Sequence, residues 1–250
     1  ERLCAIALIK RLFPRLTKES REEVFGWDPC REGGGNWPST GHIASAHWIE
    51  KATTLALEKC QEYANHVHDN CAARHFAEQD SQIRCVKSVA PSNGGHKHWF
   101  GSLDANFYFR NDLMNERAMP IWSRDEDKPI DSKARDAFVL WQYDVLLKEL
   151  RDANKKVKAP DPVFGEPMGY FALLRMDGDR TGELREEGKE EYVAQALTDF
   201  TVKVKSIVPS PEHNGVLVYA GGDDVLALFP IEDALEAALA LRNAYLEAFQ

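Results

Sequence analysis

The apolar positions of this chain change rhythm near residue 160. Before it, helical spacing dominates. Leu3, Ile6, Ala7 and Lys10 begin a short amphipathic stretch that Pro14 ends or bends. "DPCREGGGNWPST" reads as a loop, because three consecutive glycines and two prolines do not hold regular structure. Ser39 and Thr40 follow Pro38 as N-cap residues for a helix over "GHIASAHWIEKATTLALEKCQEYANHVHD". A second loop, "PSNGGHKHWFGS", follows, and then Phe138, Trp141, Val145 and Leu146 fall at helical spacing. The pattern predicts a mainly helical domain over 1–160.

Beyond it, "APDPVFGEP" carries three prolines and reads as a linker into a second domain over 161–250. "YFALLRM" (170–176) has the length of a strand and stops at "DGDRTG". Val193, Ala196, Leu197, Phe200, Val204 and Ile207 then form an amphipathic helical stripe. "GVLVYA" and "VLALF" are two strands joined by GGDD. A last helix places Leu235, Ala238, Leu239, Tyr245, Leu246 and Phe249 on one face. The class is α+β. The β-α-β-β-α order is that of a ferredoxin-like (split βαβ) domain that needs one more strand after residue 250. With Glu rather than Met at position 1 and no glycine cap on the last helix, the sequence reads as an excerpt of a longer polypeptide.

That order gives the aspartates an address. In a split βαβ unit the first and second strands are parallel, and the third lies between them, antiparallel to both. Asp177, at the end of the first strand, and Asp223-Asp224, in the turn after the second, then share one sheet edge. Alternation puts Phe171, Leu173, Arg175 and Asp177 on one face of the first strand, assigned to the open side of the sheet. Three close carboxylates need a cation or raised pKa values. Mg²⁺ or Mn²⁺ suits them, and two such ions about 3.5–4 Å apart can activate a hydroxyl and stabilise a leaving pyrophosphate. Gly221 and Gly222 permit a tight turn with positive φ and leave room for phosphate. The competing reading is a structural hairpin turn, since Gly and Asp are among the commonest turn residues.

Composition narrows the choice. The chain has 250 residues, 44% hydrophobic and 28% charged, as in a globular protein with one or two domains. Its apolar runs fall short of a membrane span. A formal net charge of −9 argues against broad nonspecific nucleic-acid binding by this segment alone. The five cysteines include no CxxC pair, which fits reduced thiols in a cytoplasm rather than a disulfide framework.

"YFALLRMDGDRTGEL" followed by "LVYAGGDDVLALFPIEDAL" resembles the large subunit of type III CRISPR interference complexes, in its Cmr (III-B) version; "WPSTGHIAS" resembles a segment of that subunit's helical domain. The resemblance implies a palm domain that polymerises ATP into cyclic oligoadenylate messengers when the complex binds target RNA. It implies that Asp223 and Asp224 are the metal-binding aspartates of the GGDD motif. Asp177 matches the strand-end acid, and Asp179 is a further candidate ligand. Gly221, Gly222, Gly178 and Arg175 are expected to meet the nucleotide. Thr181 stands where the family pattern has Met. The implied partners are the other subunits of the complex, guide RNA, target RNA and ATP, with no membrane. The family's HD nuclease domain, other palm and four-cysteine zinc site are not recognisable in these residues. Rival readings are a cyclase making a cyclic dinucleotide or mononucleotide, and a non-catalytic ferredoxin-like scaffold.

Other features have bland readings beside sharp ones. His66, His68, Asp69, Cys71 and His75 lie close together in sequence, and His68, Cys71 and His75 can share a helix face as metal ligands, yet a solvated face explains them as well. Trp99 and Phe100 can stack nucleic-acid bases or simply anchor a surface loop. Arg175, Arg180 and Lys189 are the nearest cations to the proposed site.

Overall fold

A computed structural model describes residues 38–70, 83–89, 99–114, 132–158, 160–161, 164–178 and 189–249. The expected N-terminal amphipathic stretch, Asp179, Arg180, Thr181, Cys71 and His75 lie outside these residues, as does the side chain of His68. Trp37–Gln250 is one compact unit, and its described residues form two hydrophobic clusters, one helical and one built on a sheet.

The helical part begins as its cap residue dictates. Ser39 sits in extended backbone (φ −66°, ψ 155°), and its hydroxyl accepts from the His42 amide at 3.1 Å, starting helix α1 (Thr40–Ala44). Helix α2 (Ala46–Asn70) follows after Ser45 and is kinked at Ala56, whose φ of −154° is not helical. The single long helix expected from sequence is thus broken once and bent once. Helix α3 (Arg84–Ser88), 3₁₀ turns at Phe100–Ser102 and Ala105–Phe107, helix α4 (Arg110–Leu113) and helix α5 (Ser132–Asn154) complete this part.

Its core is aromatic. Trp48, Tyr63, Phe100 and Tyr108 interlock with ring centroids 5.3 to 6.3 Å apart. Each buried tyrosine hydroxyl has a carbonyl to donate to: Tyr63 to Phe107, Tyr108 to Phe100 and Tyr143 to Tyr108. Phe100 is therefore a core residue, unavailable for stacking on a base, and Trp99 packs partly buried against the same cluster. On α5 the inward face is Tyr143, Leu146, Leu147 and Leu150. Trp141 and Val145, expected inside, are exposed. The reason is that α5 carries apolar residues around much of its circumference, and the tyrosine with its satisfied hydroxyl takes the inner side.

His42 is buried in this core, edge-on to Tyr108, and its Nε2 has no hydrogen-bond partner among the described residues. Burial pulls its pKa down to about 4, against the weaker upward pull of Asp104 and of a backbone bond at Gly101. The unfolded chain binds the proton near the ordinary 6.5 and the folded chain does not. The stabilisation from a neutral His42 is therefore present above pH 6.5 and is lost as pH falls toward 4. It amounts to about 3 kcal/mol at most. Urea midpoints are expected to fall more steeply over that window in the wild type than in His42→Leu.

The second part is the sheet. Strands β1 (Phe171–Met176), β2 (Val216–Gly221) and β3 (Asp224–Pro230) lie in the order β1-β3-β2, with β3 antiparallel to both neighbours. This is the split βαβ arrangement the element order predicts. Helix α6 (Glu190–Ile207) buries Val193, Ala196, Leu197, Phe200 and Val204, the stripe read from the sequence. Helix α7 (Ala234–Ala248) differs from expectation: Ala237, Leu241 and Ala244 face the sheet, while Leu235, Leu239 and Leu246 are exposed. This helix is apolar nearly all round, so the pattern does not select a face. The alanines allow close approach to the sheet, and the leucines are left outside.

Candidate functional site

The register of the central strand positions the acids. Ala172 pairs with Phe229, Leu174 with Ala227 and Met176 with Val225. Ala172, Leu174 and Met176 pack against the cluster formed with α6 and α7, whereas Phe171, Leu173 and Arg175 are exposed on the other face. The assignment of Arg175 and Asp177 to the open side follows from the same alternation. Asp177 follows Met176 and Asp224 precedes Val225, so both stand next to the last pair of β1 and β3, at one edge of the sheet. Both are exposed.

Gly178 and Asp223 are in close contact. A β-carbon on Gly178 would lie 2.6 Å from Asp223 Cβ and 2.6 Å from Tyr245 Oη. Asp223 is consequently half-buried between the strand-end loop and α7, while Asp224 opens the strand on the exposed side. The two adjacent aspartates thus approach the edge from different sides of the sheet.

Gly221 and Asp224 close the hairpin around a two-residue turn of Gly222 and Asp223. Gly222 alone among the turn's residues has positive φ, at 66°, the sign pattern of a type II′ turn, which takes glycine at its first central position. Gly221 is a strand residue instead, so the positive φ expected of it is not found. A side chain there would meet the ring of Tyr219, 2.3 Å from its hydroxyl. Space beside Gly222 is open among the described residues, with no atom within 4 Å of a β-carbon built there.

Sequence reasoning missed two residues of this edge. Tyr245 was assigned to a helix face for its hydrophobicity, yet its hydroxyl lies at Gly178 and its ring packs edge-on against Phe200 at 5.2 Å. Tyr219 is more than half exposed on β2, facing Leu226 across the pair, and its ring lies over Gly221. Neither position has a pattern that would single it out. Lys189 lies at the N-terminal cap of α6. His66 is on the exposed side of α2, and the metal reading of its neighbours falls outside the described side chains.

A three-stranded antiparallel sheet, backed by two helices and carrying an acidic hairpin against an acidic strand end, is the architecture of a palm. Residues 170–250 match the family model of the Cas10/Cmr2 second palm domain. The chain is also similar to CRISPR system Cmr subunit Cmr2 of Pyrococcus furiosus, 32% identical over 116 residues, covering 34% of this chain and 13% of that protein. The chain thus spans a small fraction of the relative's length. Among the described residues, no helix is long and apolar enough to cross a membrane.

Proposed function

We propose that this chain is part of the large subunit of a type III-B CRISPR effector complex, and that its palm joins ATP molecules into cyclic oligoadenylates when target RNA is bound. The observation that carries the reading is the placement: Asp177 and Asp224 flank the last pair of β1 and β3, Met176–Val225, while Asp223 packs on Gly178. Such convergence is not needed by a hairpin turn. It suits a shared cation, because adjacent exposed carboxylates are hard oxygen donors.

Asp177, Asp223 and Asp224 would hold two Mg²⁺ or Mn²⁺ ions, with Asp179 as a further donor. When bound, the ions activate the attacking hydroxyl and neutralise the leaving pyrophosphate. The ribose 3′-hydroxyl gives up its proton to solvent as its oxygen bonds to the α-phosphorus of ATP, and the bond from that phosphorus to the bridging oxygen breaks, releasing pyrophosphate. The protein's own contribution is placement. The turn at Gly222 leaves the phosphates room, Gly221 and Gly178 keep the backbone close, and Arg175 offers its charge on the open face two residues from Asp177. The whole subunit would work in the cytoplasm with the other subunits of the complex, a guide RNA and a target RNA.

The test is the product. The assembled complex, given labelled ATP, Mg²⁺ and matching target RNA, is expected to release ring-shaped oligoadenylate, and the Asp223→Ala/Asp224→Ala complex to release none. Cyclic dinucleotide from GTP would assign the palm to signalling cyclases. No turnover of any nucleotide by either complex would make it a scaffold.

A further inference from the structure

A second cluster of chemically capable side chains lies at the other end of β3, where the helical part meets the sheet. His47 and Glu50 are one turn apart on α2, and Cys85 comes from α3. One donor atom from each lies within 4.8 Å of the other two. His47 Nδ1 is 3.1 Å from Glu50 Oε2. Two ligands of a tetrahedral zinc ion stand about 3.3 Å apart, given bonds of about 2.0–2.2 Å.

What surrounds the three has the character of a ligand support. His47 Nε2 faces both carboxylate oxygens of Asp233 at 2.9 Å. Asp233 is itself held by the Asn214 side-chain amide, whose Nδ2 donates to Oδ2 at 3.0 Å. Asn214 is buried, adopts an uncommon φ of 49°, and accepts from the Cys85 backbone amide at 2.8 Å. A carboxylate receiving the far N–H of an imidazole fixes the ring's tautomer and turns its near nitrogen toward a metal. Here the far nitrogen is Nε2 and the near one is Nδ1, the nitrogen beside Glu50 and Cys85. Three ligands from two segments meet the usual requirement that a site not rest on one helix. They open on a cavity of about 680 Å³ also lined by Arg84, Lys87 and Ser88, which gives water the fourth position.

We propose that His47 Nδ1, Glu50 and Cys85 Sγ form a Zn²⁺ site in the helical part, with Asp233 of the palm as the carboxylate that positions His47. Binding exchanges protons for metal: the Cys85 thiol proton and any proton on Nδ1 leave to solvent as Zn²⁺ enters.

The probe is the metal alone, added to the full chain stripped by chelator. Wild type is expected to hold one more Zn²⁺ per chain than Cys85→Ala. Its Co²⁺ form is expected to gain thiolate-to-cobalt charge-transfer absorption that Cys85→Ala lacks, which separates this thiol from the other cysteines. Asp233→Asn is expected to keep the stoichiometry and weaken Zn²⁺ binding by about 10–100-fold. Should Cys85→Ala fail to fold, Glu50→Gln serves instead and is expected to weaken binding by at least about 10-fold. Equal Zn²⁺ content and affinity in wild type and in whichever of these variants folds would overturn the site and leave a His47–Asp233 ion pair alone. Activity with ATP is no part of the readout, so the outcome is independent of the palm's chemistry.

Discussion

Asp177→Asn in the assembled complex is expected to lower oligoadenylate synthesis by about 10²–10³-fold while leaving the thermal melt unchanged. The substitution keeps the size of the side chain and removes one charge. Asp177 is exposed past the last pair of β1, so no packing depends on it. The effect must come from what the carboxylate holds. Removing a fixed charge from a site that stabilises developing negative charge costs several kcal/mol of barrier. The rate of labelled ATP conversion with saturating target RNA is the measurement. A fall in rate that excess Mn²⁺ partly restores would place the loss in metal binding.

Gly178→Ala is the second large effect, and it acts through geometry. The added methyl would overlap Asp223 Cβ and Tyr245 Oη, each at 2.6 Å. The tyrosine tip can swing away, but Asp223 Cβ is fixed to the turn backbone, so the strand-end loop and the GGDD turn must separate. Overpacking of this kind costs about 1–3 kcal/mol of stability. A displacement of about 1 Å between catalytic groups costs about 10²-fold in rate. The variant is therefore expected to bind the complex, melt a few degrees lower and lose most of its turnover. Adding Tyr245→Phe relieves the contact with the hydroxyl only, and is expected to recover stability more than rate.

The palm was legible because its signals are periodic and local. The α6 stripe, the three strand-length runs and the glycines between β2 and β3 each state their element, and handedness-independent strand order then places Asp177 beside the turn. Faces were legible only where the residues contrast. Alternation in β1 separates Arg175 from Leu174, and burial follows it. In α7 the contrast vanishes among alanines and leucines, and the inward face is chosen by how closely Ala237 and Ala244 let the helix approach. Trp141 was misassigned in α5 for the same reason.

Long-range partners were the other gap. "AHWIEK" holds a His and a Glu at helical spacing, but nothing in it announces Cys85, 35 residues on, or Asp233, 183 residues beyond Glu50. Asn214 is the residue that joins them, and its sequence context, "EHNGV", reads only as a turn. The hydroxyl of Tyr245 at the acidic edge was hidden likewise, because an aromatic on an apolar helix face reads as core.

The central claim is that the three aspartates at one sheet edge hold divalent cations. Mn²⁺ binding to the complex, read by electron paramagnetic resonance with a non-hydrolysable ATP analogue present, tests it most directly. Wild type is predicted to hold two more Mn²⁺ ions than Asp223→Ala/Asp224→Ala, a difference that cancels any site elsewhere in the assembly. Equal occupancy in the two would contradict the claim and return GGDD to a hairpin turn.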